Sequence, residues 1–192
     1  DSFYSILPTA TQYCRNAVFA GMMPVDIEKN FPVQWKNDDE QGGKNLHEEE
    51  FFRAQLKRMG KGDLKVSYTK VLNNQAGLDL QNNIHNLLNN DLNVIVVNFV
   101  DMLSHARSDM AMIRELAPDE AAYRSITRSW LEHSTLLEML KQASARKARI
   151  IITTDHGTMR VRHPFLIKGQ VQEDEPEDQG REEAEDEGIL SC

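Results

Sequence analysis

Apolar positions along this chain switch repeatedly between extended and helical spacing. Residues 2–7 are short, apolar and strand-like. Residues 12–20 read as a helix that stops near Gly21 and Pro24, since glycine readily adopts the left-handed conformation that ends helices. A polar, glycine-containing loop over 37–44 precedes a helix over 48–59, with Phe51, Phe52, Leu56 and Met59 on one side and Gly60 at its end. Residues 65–71 alternate as a strand, and 78–88 read as helical. Two runs, NVIVVNFV over 93–100 and ARIIIT over 148–153, are almost continuously β-branched. Strands buried on both faces, as in a parallel sheet covered by helices, have this composition. Between them a long stretch over 118–142 opens with Pro118, Asp119 and Glu120, which suit a first helical turn. There Tyr123, Ile126, Trp130, Leu137 and Leu140 recur at helical spacing as core positions. Strand, helix and strand in this order predict a βαβ crossover and an α/β class.

The net charge of −8 is unevenly placed. Residues 173–187 hold ten acids and one base, a net −9, while the rest of the chain has 21 bases against 20 acids. The body therefore has no basic footprint for nucleic acid and no excess of negative charge against anions. The acidic segment has almost no apolar content, so residues 170–192 are expected to be a disordered tail following one domain over 1–169. That tail reads either as an interaction segment or as a solvated end. No run of about 18 apolar residues exists, so no membrane span is expected. Two cysteines, Cys14 and Cys192, make no disulfide framework, and Cys14 is expected to be a small buried side chain.

Ligands of open α/β sheets bind beyond the carboxyl ends of the strands, which directs attention to three places. At the first, Thr11 opens a helix directly after Leu7-Pro8-Thr9-Ala10. The helix N-terminus favours an anion, and a threonine alkoxide beside a metal is a phosphoryl nucleophile; threonine is equally an ordinary helix cap. At the second, Asp101 ends the strand and His105 follows at i+4, which brings carboxylate and imidazole to one side of a helix as half of a metal site. At the third, a β-branched strand runs into Thr154-Asp155-His156-Gly157. An adjacent Asp-His pair at a sheet edge is costly unless it is solvated or binds something. One threonine, two aspartates and two histidines together are the makings of a two-metal cluster, and zinc suits mixed imidazole and carboxylate ligands. His47, His85 and His133 have no partner at ligand spacing and read as structural or surface residues. Arg15 and Asn16 follow Thr11 and read as helix-surface residues before phosphate contacts.

The order Thr, Asp-x-x-x-His, Asp-His-Gly resembles the alkaline phosphatase superfamily. PTATQYCRNAVFAGMMP, over 8–24, is similar to the nucleophile segment of its phosphodiesterase branch, and NFVDMLSHARSDM and IIITTDHGTMRV look closest to PglZ domains. The stretch 51–161 resembles the PglZ domain of PorX-type response regulators of type IX secretion. The resemblance implies a three-layer sandwich around a mostly parallel sheet, and a zinc-dependent phosphodiesterase or phosphatase with two zinc ions. It implies Thr11 as nucleophile and zinc ligand, Asp155 and His156 on the same zinc, and Asp101 and His105 on the other. It further implies a phosphodiester or nucleotide substrate, a cytoplasmic location, and a sensor kinase and a sigma factor as partners.

Two features depart from that pattern. The superfamily has an aspartate ahead of the nucleophile segment, whereas this chain begins after that point; and it has a later histidine, whereas His163 comes too early and in a strand-like segment. With five of seven metal-site positions, the chain is expected to be an incomplete copy that binds zinc weakly and has little or no activity. The competing expectation is a non-catalytic signalling module whose task is to contact partner proteins.

Overall fold

A computed structural model of the chain describes residues 4–37 and 40–157. The acidic segment 170–192, the domain boundary at 169 and His163 lie outside the described residues. The described residues divide into two compact units, one formed by those up to Glu48 together with 154–157, the other by Glu49–Thr153.

The first unit opens with residues 4–10 in no regular element, where a strand was expected. Helix α1 (Thr11–Ala20) follows. Gly21 ends it at φ 59°, in the left-handed region where a side chain would be strained, and its N–H returns to the carbonyl of Ala17 at 2.8 Å. Pro24 then starts a second helix, α2 (Pro24–Asn30), at the first-turn position where its missing N–H costs nothing. Cys14, Ala20, Ile27 and Trp35 form the buried apolar residues here, and Tyr13 lies against Trp35 with ring centroids 6.0 Å apart. Asn16 is also buried, contrary to the surface role expected for it. Its amide donates to the carbonyl of Lys44 at 3.1 Å, and its carbonyl oxygen accepts from Asn45 at 3.1 Å. Arg15 likewise does not simply cover the helix: its Nε donates to Glu48 at 2.6 Å, and Glu48 is fully buried. These bonds fasten α1 to the loop that leads into α3 (Glu48–Arg58).

The second unit carries the sheet. After α3, which ends one residue before the exposed Met59 and has Phe51 and Phe52 buried, comes β1 (Val66–Val71). Helices α4 (Asn74–Asn82) and α5 (Ile84–Leu87) replace the single helix expected over 78–88 and lead to β2 (Leu92–Val97). β1 and β2 pair in parallel, with Val66 opposite Leu92 and Val71 opposite Val97. The βαβ crossover is thus real but lies one step earlier in the chain than the two apolar runs suggested. Helices α6 (Phe99–Asp109), α7 (Ala111–Leu116), α8 (Glu120–Glu132) and α9 (Thr135–Ala145) complete the unit.

The expected long helix over 118–142 is two helices. Asp119 caps α8 by accepting the N–H of Ala122, and Ser134 caps α9 by accepting that of Leu137, so each has its own start signal. Trp130 is partly buried and stacks flat on Phe99, with centroids 4.0 Å apart and planes 3° from parallel. The core of the unit is Leu80, Ile84, Leu87 and Met139, with Val71, Ile95 and Leu136 against it.

The second apolar run does not become a strand. Residues 149–154 have no regular structure, and Ile151 and Ile152 are largely exposed. Among the described residues no neighbouring strand offers this run a ladder, and β-branched composition makes a sheet only where a partner exists. The sheet of the described residues has two strands, so the chain shows mixed helix and strand with a small parallel sheet; the three-layer sandwich is a larger arrangement than these residues display.

Gly77 lets α4 and α9 approach. A Cβ there would lie 2.5 Å from the hydroxyl of Thr135. Gly77→Ala gains about 1 kcal/mol of helix propensity but forces a clash costing about 1–3 kcal/mol. It is expected to lower the unfolding free energy by about 1 kcal/mol in urea titrations. Thr135→Ala in the same chain should recover that loss; additive effects of the two changes would show that the close approach is not the cause.

Candidate active site

Thr11, Asp155 and His156 all belong to the first unit. Ala10, extended at φ −88° and ψ 138°, is the N-cap of α1 and gives no side-chain bond, so Thr11 is the first helical residue and not the cap. Its hydroxyl is spent elsewhere: Thr11 Oγ1 lies 3.1 Å from Nε2 of His156. The other ring nitrogen, Nδ1, lies 3.1 Å from the carbonyl of Gly157. A carbonyl only accepts, so Nδ1 is a donor there, and in the neutral form of the ring Nε2 is left to accept from the Thr11 hydroxyl. A hydroxyl aimed at an unprotonated imidazole nitrogen is the arrangement of an activated nucleophile.

The turn that carries His156 is held from several sides. Thr154 Oγ1 donates to the carbonyl of His156 at 2.7 Å. The hydroxyl of Ser5 donates to the carbonyl of Asp155 at 2.8 Å. Asp155 Oδ2 is buried and has no hydrogen-bond partner among the described residues, and His156 Nε2, at 3.9 Å, is too far to serve as one. A buried, unbonded carboxylate oxygen is costly, and a cation is one thing that relieves it. With the hydroxyl of Thr11 and the imidazole of His156 beside it, this is an oxygen and nitrogen donor set suited to a divalent metal ion.

Asp101 and His105 belong to the second unit. Asp101 does not end the strand: β2 stops at Val97, and Asp101 is the third residue of α6, in its first turn. The i+4 spacing does bring the pair together, with Oδ1 3.6 Å from Nε2 of His105. His105 is 69% exposed, so water reaches this pair freely. Among the described residues no three His, Cys, Asp or Glu side chains stand together as a group able to hold a metal.

Sequence reasoning missed Ser5 and Asn45. Asn45 donates to the carbonyl of Thr11 at 3.4 Å and to Asn16 at 3.1 Å, so it braces the first turn of α1. Neither carried a signal, since a lone serine in an apolar segment and an asparagine in a polar loop are ordinary. His85 and His133 lie at the surface. Nδ1 of His133 lies 2.7 Å from the carbonyl of Ser129, and Arg146 lies 3.0 Å from His85, both exposed arrangements. Cys14 is buried as expected.

The chain belongs to the PglZ family. The family described as the BREX system PglZ alkaline phosphatase-like domain matches residues 1–185. A comparison with curated proteins finds no match. Membership makes this PglZ chain alkaline phosphatase-like, within a superfamily of phosphohydrolase type that is generally metal-dependent. No helix of the described residues is long and apolar enough to cross a membrane.

Tyr123 of α8 supports the Asp101 end of α6 by donating to the carbonyl of Val100 at 3.2 Å, with Arg107 over its ring at 5.4 Å. Burial raises its phenol above the ordinary value of 10.0, so the folded state holds this proton more tightly than the unfolded chain. Its contribution to stability is complete below pH 10.0 and is lost as pH rises beyond it. Tyr123→Phe is therefore expected to show a shallower fall in unfolding free energy than the wild type between pH about 9 and 11. Parallel profiles would rule out Tyr123 as the source.

Proposed function

We propose that this chain is a zinc-dependent phosphohydrolase domain acting on a phosphodiester, with Thr11 as its nucleophile. The observation that carries the reading is the 3.1 Å contact of Thr11 Oγ1 with His156 Nε2, which lies 3.9 Å from a buried oxygen of Asp155 that has no partner among the described residues. Thr11, Asp155 and His156 would hold one zinc, and Asp101 and His105 the other. Zinc, when bound, lowers the pKa of a coordinated hydroxyl and offsets charge on the phosphoryl oxygens. The chain's own residues supply the rest. α1 presents Thr11 at a helix N-terminus, where the dipole favours the anionic phosphoryl group. Attack by Oγ1 would form an oxygen–phosphorus bond and break the bond to one alcohol, which leaves with the proton that the threonine hydroxyl gives up, so that a threonine phosphodiester carries the remaining alcohol. Water would then cleave the bond between Oγ1 and phosphorus, releasing a phosphomonoester and restoring the hydroxyl.

Five side chains are fewer than the four ligands that each of two zinc ions usually takes, so the reading expects weak zinc affinity and low turnover. In this reading the two-stranded sheet is part of a three-layer sandwich. The likeness of 51–161 to PorX-type regulators supports a cytoplasmic place in a two-component system, with a sensor kinase and a sigma factor as partners.

Zinc is expected to raise the thermal midpoint, and at a concentration 100 times the Kd to add about 2.7 kcal/mol. The Asp155→Ala, His156→Ala double variant should lose that response. With zinc in excess, hydrolysis of bis-p-nitrophenyl phosphate should fall about a thousandfold, or to background, in Thr11→Ala. Calorimetry and product release check the two halves. No zinc response in the wild type, or hydrolysis untouched by Thr11→Ala, would sink the reading and leave a non-catalytic interaction module as the alternative.

A further inference from the structure

Ser5 has one proton and two polar neighbours: the carbonyl of Asp155 at 2.8 Å and Sγ of Cys14 at 3.1 Å. A carbonyl cannot donate, so the hydroxyl proton goes to Asp155. The other contact then sets the hydroxyl against the sulfur of Cys14, whose own thiol proton has the carbonyls of Pro8 and Ile6 as acceptors at 3.5 and 3.7 Å. Cys14 is 1% exposed and sits one helical turn after Thr11 on α1. The result is a short relay from the thiol of α1 through the hydroxyl of Ser5 to the backbone of the Asp155–His156 turn. Asp155 is joined through its own carbonyl, which leaves both carboxylate oxygens out of the relay.

We infer that Ser5, seated on Cys14, is a positioning residue that sets where the Asp155–His156 turn lies against Thr11. The inference rests on the proposed phosphohydrolase site for its functional meaning, but its geometry stands apart from any metal. Thr11 meets the turn through the 3.1 Å contact with His156, and a turn displaced by even 1 Å would break it. The hydroxyl of Ser5 is a second tie between the same two regions of chain, placed on backbone and therefore indifferent to which side-chain atoms a ligand takes. Groups that orient ligands in this way typically change metal affinity by 10–100-fold when removed.

The test uses the full chain, with Ser5→Ala, Ser5→Thr and Ser5→Cys. In the metal-free protein, long-range proton–nitrogen NMR correlations report which nitrogen of His156 carries the proton. The wild type and Ser5→Thr should show the proton on Nδ1, and Ser5→Ala should show a mixture of both forms. Zinc titration, with the metal alone as probe, should give about tenfold weaker binding for Ser5→Ala and wild-type binding for Ser5→Thr. Should Ser5→Ala fail to fold, Ser5→Cys keeps the shape with a poorer donor and should lie between the two. A Ser5→Ala protein that melts lower but keeps the His156 proton on Nδ1 and binds zinc like wild type would overturn the inference and leave Ser5 a structural residue. If no variant or wild-type chain binds zinc, the NMR result alone decides: a changed tautomer in Ser5→Ala upholds the positioning role while the zinc reading falls, and an unchanged one overturns both.

Discussion

The first unit depends on contacts that close over almost the whole described chain. Thr11 meets His156 across 145 positions, and Ser5 meets the backbone of Asp155 across 150. Closing so long a loop by chance is unfavourable, but the cost grows only with the logarithm of its length. Much of that cost is met elsewhere, because Glu49–Thr153 fold into a unit of their own. These two polar contacts tie the turn to the start of α1 and to the segment before it.

Rigidity on the α1 side comes from polar contacts that the amphipathic pattern of the helix does not reveal. Asn16 is buried and bonded to Lys44 and Asn45, Arg15 reaches the buried Glu48, and Gln12 donates to the carbonyl of Lys36 at 2.8 Å. Each of these groups would cost more buried and unpaired than it returns when bonded, so the network holds as a set or not at all. A side chain at the start of such a helix, as Thr11 is, has little freedom to drift.

Much of this was legible in the sequence, and the failures have physical causes. The helices opening at Thr11 and Glu48 and the strand at Val66 were readable because capping glycines and alternation are local signals. The breaks at Asn83 and His133 were missed because helical spacing runs through both, and only the caps mark the division. The isoleucine run at 150–152 misled because β-branching reports a willingness to pair and is silent about whether a partner is present. The pairs Asp101–His105 and Asp155–His156 were legible as pairs, since helical and adjacent spacing fix them locally. The partner of Asp155 in Ser5 was not, because nothing in a sequence couples positions 5 and 155.

The two Asp–His pairs share residue types but differ in what a ligand would gain from them. In the Asp101–His105 pair both side chains are open to solvent, so water already satisfies the carboxylate and a cation must displace that hydration. In the Asp155–His156 pair both side chains are about one-fifth exposed, and one carboxylate oxygen has neither water-facing surface nor a donor among the described residues. A charge added there meets a lower local dielectric and an unmet acceptor, so the same ion is worth more at this pair. Residue identity alone would rank the two pairs equally; burial ranks them, and it places the stronger demand for a cation at the pair whose imidazole meets the hydroxyl of Thr11.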